Sequence, residues 1–172
     1  MAERTGECTF QGNPLTLIGP KLEPGQAAPD FTLLANNMSH VSLKDSAGKV
    51  RLITAVPSLD TPVCDMETRK FNEEVGKLGG DVAAFAISCD LPFAQGRWCG
   101  AAGATNVQTL SDHFDVSFGD AYGTHIKEWR LDSRAVFVVG KDGKLTHVEY
   151  VKEVASHPDY DAALAAVKAA LA

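Results

Sequence analysis

The sequence predicts an α/β protein with a mixed β-sheet flanked by helices. From residue 50 onward, β-branched apolar runs alternate with segments that place apolar residues at helical spacing, the order expected of strands joined by helical crossovers. Such crossovers join parallel strands, whereas Asp142-Gly143 near the C-terminus favours a tight hairpin between antiparallel strands. No repeat or low-complexity linker divides the 172 residues, so we expect a single domain over residues 1–172.

The N-terminal third of the chain favours short strands. Segment 5–17 alternates weakly around Gly12-Asn13-Pro14, which predicts an N-terminal β-hairpin. An irregular stretch with three prolines follows, and two further short strands are predicted at 30–34 and 40–43, around Asn36-Asn37.

The rest of the chain carries the alternating elements. A β-rich run over 50–56 is stopped by Pro57, and 61–78 shows helical spacing of apolar residues before Gly79-Gly80 ends it. The later strands are predicted at 81–88, 107–110, 134–139 and 145–151, and the later helices at 93–104, 158–172 and, weakly, 112–122.

Composition excludes several classes of protein. The chain is 45% hydrophobic and 22% charged, with 16 basic and 22 acidic residues and a net charge of −6, so it lacks the basic surface of a nucleic-acid binder or of a protein that docks on anionic membranes. Four cysteines are too few for a disulfide scaffold. With no secretory signal or transmembrane run visible, we expect a cytoplasmic protein whose thiols are kept reduced.

The segment between the predicted strand and helix places one cysteine where a thiol becomes reactive. Thr61 suits the N-cap and Pro62 the first helical position, which puts Cys64 at the third position of the helix. There the unpaired backbone N–H groups and the helix macrodipole favour the thiolate, which is the nucleophilic form of cysteine. The Thr61 hydroxyl is placed to hydrogen-bond the thiolate or a bound oxygen.

These residues form the pattern Pro57-x-x-x-Thr61-x-x-Cys64, which resembles the active-site motif of the peroxiredoxins. The resemblance to their thiol peroxidase branch, the atypical two-cysteine peroxiredoxins, extends from about Thr9 to the C-terminus. It is carried by four further segments, Phe10-Gln11-Gly12-Asn13-Pro14, Arg69-Lys70-Phe71-Asn72, Asp90-Leu91-Pro92-Phe93-Ala94-Gln95 and Arg97-Trp98-Cys99-Gly100.

The resemblance implies a thioredoxin-like fold and a cysteine-based reduction of hydroperoxides. Cys64 would be the peroxidatic cysteine that becomes a sulfenic acid, and Cys99 the resolving cysteine that joins it in an intrachain disulfide. Arg134 would hold the thiolate and polarise the peroxide, Thr61 would assist, and Pro57 would shield the sulfenic acid. Thioredoxin is the family's usual reductant and a homodimer its usual assembly, and no cofactor is expected.

Three acidic residues near Cys64 run against this interpretation, because negative charge disfavours a thiolate. We expect Asp60, Asp65 and Glu67 to be solvated residues of the helix start, with Arg69 and Arg134 offsetting their repulsion at the sulfur.

The remaining candidates are assigned no chemistry. Cys8 and Cys89 are expected to be bystanders, with Cys89 buried. The five histidines have no Glu or Cys at ligand spacing, which argues against a metal site, and no nucleotide-binding glycine motif is present. Two alternatives stay open: a thiol–disulfide oxidoreductase, although Cys64 begins no Cys-x-x-Cys motif, and a peroxide sensor without multiple turnover. The sequence does not distinguish hydrogen peroxide from alkyl hydroperoxides as the preferred substrate.

Overall fold

A computed structural model describes residues 1–172 and contains two sheets. The central sheet has seven strands in the order β11-β10-β5-β6-β7-β3-β4. Its strands are β3 (Thr32–Ala35), β4 (His40–Ser42), β5 (Val50–Ala55), β6 (Val82–Ser88), β7 (Gln108–Ser111), β10 (Ala135–Val139) and β11 (Leu145–Tyr150). Strands β5, β6 and β7 are parallel and the other pairs antiparallel, which confirms the mixed sheet.

Helices cover both faces of this sheet. They are α1 (Pro62–Gly76), α2 (Pro92–Ala102), α3 (Ser117–Tyr122) and α4 (Tyr160–Leu171), with a 3₁₀ turn at Leu43–Ser46. Alternate residues of β5 divide between two cores: Leu52 packs with the buried faces of α1 and α4, whereas Ile53 packs with the aromatic side chains of α3. Because helices cover both faces of the sheet, both sets of alternate residues are apolar. The central strands therefore appear in the sequence as continuous apolar runs.

The second sheet enlarges the predicted N-terminal hairpin. Strands β1 (Glu3–Phe10) and β2 (Asn13–Ile18) pair across a Gln11-Gly12 turn, and β8 (His125–Ile126) and β9 (Leu131–Asp132) extend them to four strands. The two added strands have two residues each, which is too short to leave a period in the sequence.

One predicted helix is shorter in the structure. The weakly helical segment 112–122 is helical only over Ser117–Tyr122, because Val116 has a φ of 56° and the Asp112 carboxylate accepts hydrogen bonds from the N–H groups of Phe118 and Gly119. Those side-chain bonds replace the backbone bonds that a longer helix would make.

The sheet register places the functional residues near one another. Ala135 at the start of β10 pairs with Ala55 at the carboxyl end of β5, in antiparallel register. The residue before β10, Arg134, therefore lies beside the loop that leads from β5 into α1. No helix is both long and apolar enough to cross a membrane.

Candidate active site

Helix α1 begins as the sequence predicts. Thr61 is the N-cap with extended backbone angles (φ −116°, ψ 148°), Pro62 follows at the first helical position, and the N–H of Asp65 bonds the Thr61 carbonyl at 3.0 Å. Cys64 is thus in the first turn, with 0% of its side chain exposed, and packs with Val56, Leu59 and the half-buried Trp98. A thiol here meets the positive end of a four-turn helix in a dry environment.

Arg134 is aimed at this thiol. Its Nη2 donates to Cys64 Sγ at 3.1 Å, its Nε donates to the Val154 carbonyl at 3.1 Å, and its Nη1 pairs with Glu67. The side chain is 2% exposed, so these contacts are made out of water. Burial opposes the guanidinium charge, yet Glu67 and Cys64 together raise the pKa of Arg134 above its usual range. The charge at this position is permanent.

Glu67 contradicts the expectation of a solvated acid. Its side chain is 0% exposed and forms a buried ion pair with Arg134. Because residues three and four apart share one face of a helix, Glu67 lies on the same inward stripe as Cys64 and Phe71. Burial raises the pKa of Glu67 to about 7 although Arg134 acts in the opposite direction. The helical spacing of Cys64, Glu67 and Phe71 is the signal in the sequence that could have predicted the burial of Glu67.

The other two acids stay at the surface, and one of them links two helices. Asp60 is exposed, as expected, whereas Asp65 is half-buried and bound by Arg69 Nε at 2.9 Å. Trp98 of α2 donates its indole N–H to Asp65 at 2.8 Å, and the Arg69 guanidinium lies 5.6 Å from the Trp98 ring. The charge of Asp65 is therefore balanced locally, and Trp98 is held over the Cys64 cluster.

Thr61 and Pro57 flank the cysteine from the loop. Pro57 is buried, and the exposed Thr61 donates its hydroxyl hydrogen to the Ser58 carbonyl at 2.8 Å rather than to the first turn of α1. Because that hydrogen is committed, the Thr61 oxygen is free to accept a hydrogen bond but not to donate one to the sulfur.

The structure does not bring Cys99 to Cys64. Cys99 lies on α2, where its Sγ is 3.3 Å from Thr109 Oγ1 and 3.8 Å from Asn36 Nδ2, and both cysteines are free thiols. These partners belong to β7 and to the turn after β3, whereas Cys64 contacts Arg134, the loop before α1 and, on α2, the ring of Trp98. A disulfide between them requires the two sulfurs to leave these separate surroundings.

The two remaining cysteines are held as thiols. Burial raises the pKa of Cys8 to about 11. Cys89 follows β6 and is half-buried rather than buried as the sequence indicated, and its Sγ lies 3.7 Å from Asp132 Oδ2. Burial first, and then Asp132 and Asp112, raise the pKa of Cys89 far above the usual range. Neither thiol is suited to nucleophilic attack.

Cys89, Asp112 and Asp132 nonetheless form a cluster that the sequence did not indicate. Their ligand-type atoms lie within 4.8 Å of one another, although the three residues come from separate segments. Burial raises the pKa of Asp112 to about 6 and, together with Asp112, that of Asp132 to about 8. Metal ligands must be deprotonated, and Cys89 and Asp132 hold their protons near neutral pH, so a cation would have to displace both protons.

Comparisons with known proteins identify the family of this chain. A model of the Redoxin family matches residues 23–164. Thiol peroxidases from Halalkalibacterium halodurans and Bacillus subtilis are 58% and 54% identical, each over 95% of this chain and over 98% and 97% of their own lengths. A peroxiredoxin-like protein from Aquifex aeolicus superposes with a TM-score of 0.90 at 36% identity over 97% of both chains. A Chromobacterium violaceum thiol peroxidase has a TM-score of 0.82 at 20% identity over 90% of this chain and 91% of its own, which supports the fold alone.

Proposed function

Because the chain belongs to the Redoxin family, among the thiol peroxidases, and is a peroxiredoxin-type peroxidase, we propose that Cys64 is its peroxidatic cysteine. The observation that carries the proposal is the 3.1 Å contact between Cys64 Sγ and Arg134 Nη2 in the first turn of α1. A fixed positive charge and a helix N-terminus act on one buried sulfur, and both favour its thiolate.

The thiolate attacks the terminal oxygen of a hydroperoxide. The S–O bond forms as the O–O bond breaks, Cys64 becomes a sulfenic acid, and the leaving alkoxide or hydroxide is protonated. Arg134 is already in place to bind the charge that develops on the oxygens, so no reorganisation is needed during the reaction. The Thr61 oxygen accepts a hydrogen bond from the incoming peroxide, and buried Pro57 keeps water from the sulfenic acid.

Cys99 then resolves the intermediate. Its thiol displaces water from the Cys64 sulfenic acid and leaves an intrachain disulfide. The separate environments of the two sulfurs mean that the first turn of α1 and the segment around Cys99 open locally beforehand. A dithiol protein of the thioredoxin type reduces the exposed disulfide, and the protein works as a homodimer in the cytoplasm.

A coupled assay with thioredoxin, thioredoxin reductase and NADPH tests this function. Wild type should consume peroxide over many turnovers, whereas Cys99→Ser should consume one peroxide per chain and then stall. Cys8→Ser is the matched control, because Cys8 lies in the second sheet, in a different apolar cluster from Cys64, and should leave turnover unchanged. A wild-type protein that reacts once and cannot be recycled by any dithiol protein would instead be a peroxide sensor.

The same assay identifies the disulfide. Peroxide-treated wild type should run as a monomer on a non-reducing denaturing gel, and mass spectrometry should join the Cys64 and Cys99 peptides. A bridge from Cys64 to Cys8, to Cys89 or to a second chain would contradict the assignment of Cys99.

A further inference from the structure

Arg134 is shared by two buried acids. One nitrogen of its guanidinium bonds Cys64 Sγ and another bonds Glu67, and all three side chains are at most 2% exposed. If both acids were ionised, the group would carry a net negative charge in a dry interior. With only one of them ionised, the charge of Arg134 is balanced. Repulsion between the two negative charges and the cost of burying a second one therefore favour one anion at a time.

The surroundings of Glu67 also disfavour a second anion. One of its carboxyl oxygens, Oε1, is buried without a hydrogen-bond partner. The other groups that face it supply no positive charge: Glu149 adds negative charge, and burial raises the pKa of Tyr160 to about 12, which keeps that phenol neutral. Arg134 is thus the cation that contacts both acids.

We propose that Glu67 and Cys64 share a single proton, so that Glu67 is a neutral acid while Cys64 is a thiolate and becomes a carboxylate once Cys64 is oxidised. This inference rests on the proposed role of Cys64. Glu67 touches neither substrate nor sulfur in the reaction, and it acts through Arg134 as a positioning residue that keeps the charge of the site constant.

The proton balance of the first step follows from this sharing. The thiolate sulfur bonds the terminal peroxide oxygen, the O–O bond breaks, and the leaving group departs as an alkoxide that must gain a proton. The sulfenic acid is neutral, so Arg134 loses the one anion that had balanced its charge. Glu67 then releases its proton to solvent while the leaving alkoxide takes one up, and the sum is thiolate plus carboxylic acid plus hydroperoxide going to sulfenic acid plus carboxylate plus alcohol. The net uptake of protons from solvent is zero.

Proton uptake in a single turnover tests the proposal. The Cys99→Ser protein, which stops at the sulfenic acid, is mixed with one equivalent of peroxide in weakly buffered, slightly acidic solution containing a pH indicator. Thiolate absorbance and peroxide consumption are followed in parallel. With Glu67 present, the thiolate should disappear with much less than one proton taken up per peroxide. With Glu67→Gln added, uptake should rise to about one. Asp65→Asn is the control, an acid two residues away that is paired with Arg69 and should leave the count unchanged.

An independent measurement needs no substitution of Glu67 and uses the Cys99→Ser protein alone. Infrared difference spectra of the same reaction should lose a protonated carboxyl band as the sulfenic acid forms. Uptake of one proton per peroxide with no band change overturns the sharing, as does the absence of thiolate in the resting protein. Failure of Cys64 to react with peroxide at all would instead refute the proposed function, so the two failures are distinguishable.

Discussion

Cys64 and Cys89 both come after parallel strands of the central sheet but lie in opposite electrostatic surroundings. Each follows a parallel strand of the central sheet, Cys64 after β5 and Cys89 after β6. Their charged neighbours come from one short segment: Arg134 bonds Cys64, whereas Asp132, two residues earlier, lies beside Cys89. The more accessible thiol is the one whose ionisation is suppressed. Exposure therefore does not distinguish the proposed reactive cysteine from Cys89, whereas the sign of the nearest charge does.

Exchanging each cysteine for serine gives the largest expected contrast. Cys64→Ser should abolish peroxide consumption and sulfenic-acid labelling, because no other thiol accepts a hydrogen bond from a buried cation. Cys89→Ser should retain activity within about twofold, since that thiol takes no part. Peroxide consumption and far-UV circular dichroism of both variants provide the check. Residual turnover in a folded Cys64→Ser protein would move the nucleophile elsewhere.

Removing the cation should make Cys64 behave more like Cys89. Arg134→Ala should lower the thiolate fraction and slow the reaction with peroxide by about 10²-fold or more, the usual effect of losing one preorganised donor. Arg134→Lys should recover part of the thiolate and less of the rate, because lysine lacks the planar two-pronged donor. Thiolate absorbance against pH and single-turnover kinetics separate the two effects. An Arg134→Ala protein unchanged in both would show that Arg134 is structural.

The cluster around Cys89 should appear in the pH dependence of stability. The folded-state pKa values of Asp132 (about 8) and Asp112 (about 6) lie above the unfolded value of about 3.9, so the folded state binds more protons between these limits. Stability from these groups is present at acid pH and falls as pH rises from about 4 towards 8. Asp132→Asn should flatten that fall, as measured by urea unfolding across this range. An equally steep fall in the variant would contradict the raised pKa.

The smallest effect concerns the cover over Cys64. Trp98→Phe keeps an aromatic ring on the cluster but removes the hydrogen bond to Asp65, worth about 1 kcal/mol, or roughly a fivefold change in local opening. Labelling of Cys64 by a bulky thiol reagent should quicken by about that factor. Labelling of Cys89 is the internal control and should be unchanged, because Trp98 packs on the Cys64 cluster alone. Equal acceleration at both thiols would indicate general loosening.

The sequence predicted the features that neighbouring residues determine, and it did not by itself predict those that depend on contacts between distant residues. The placement of Cys64 in the first turn of α1 was predictable, because Thr61 and Pro62 determine the helix start within a few residues. Arg134 is 70 residues away, so its role came only from a resemblance to a known family. Glu67 was wrongly expected to be solvated, because an acid near a helix start has an ordinary local explanation and its burial depends on the sheet beneath.

The distance along the chain between the two halves of the site has a consequence for how a newly made molecule becomes active. Cys64 and α1 can form early from local sequence, but Arg134 reaches the sulfur only when β10 pairs with β5, a long-range contact that forms late. Until then Cys64 has no cation beside it. The reactivity proposed for Cys64 therefore depends on completion of the central sheet, and an incompletely folded chain lacks the contact on which it rests.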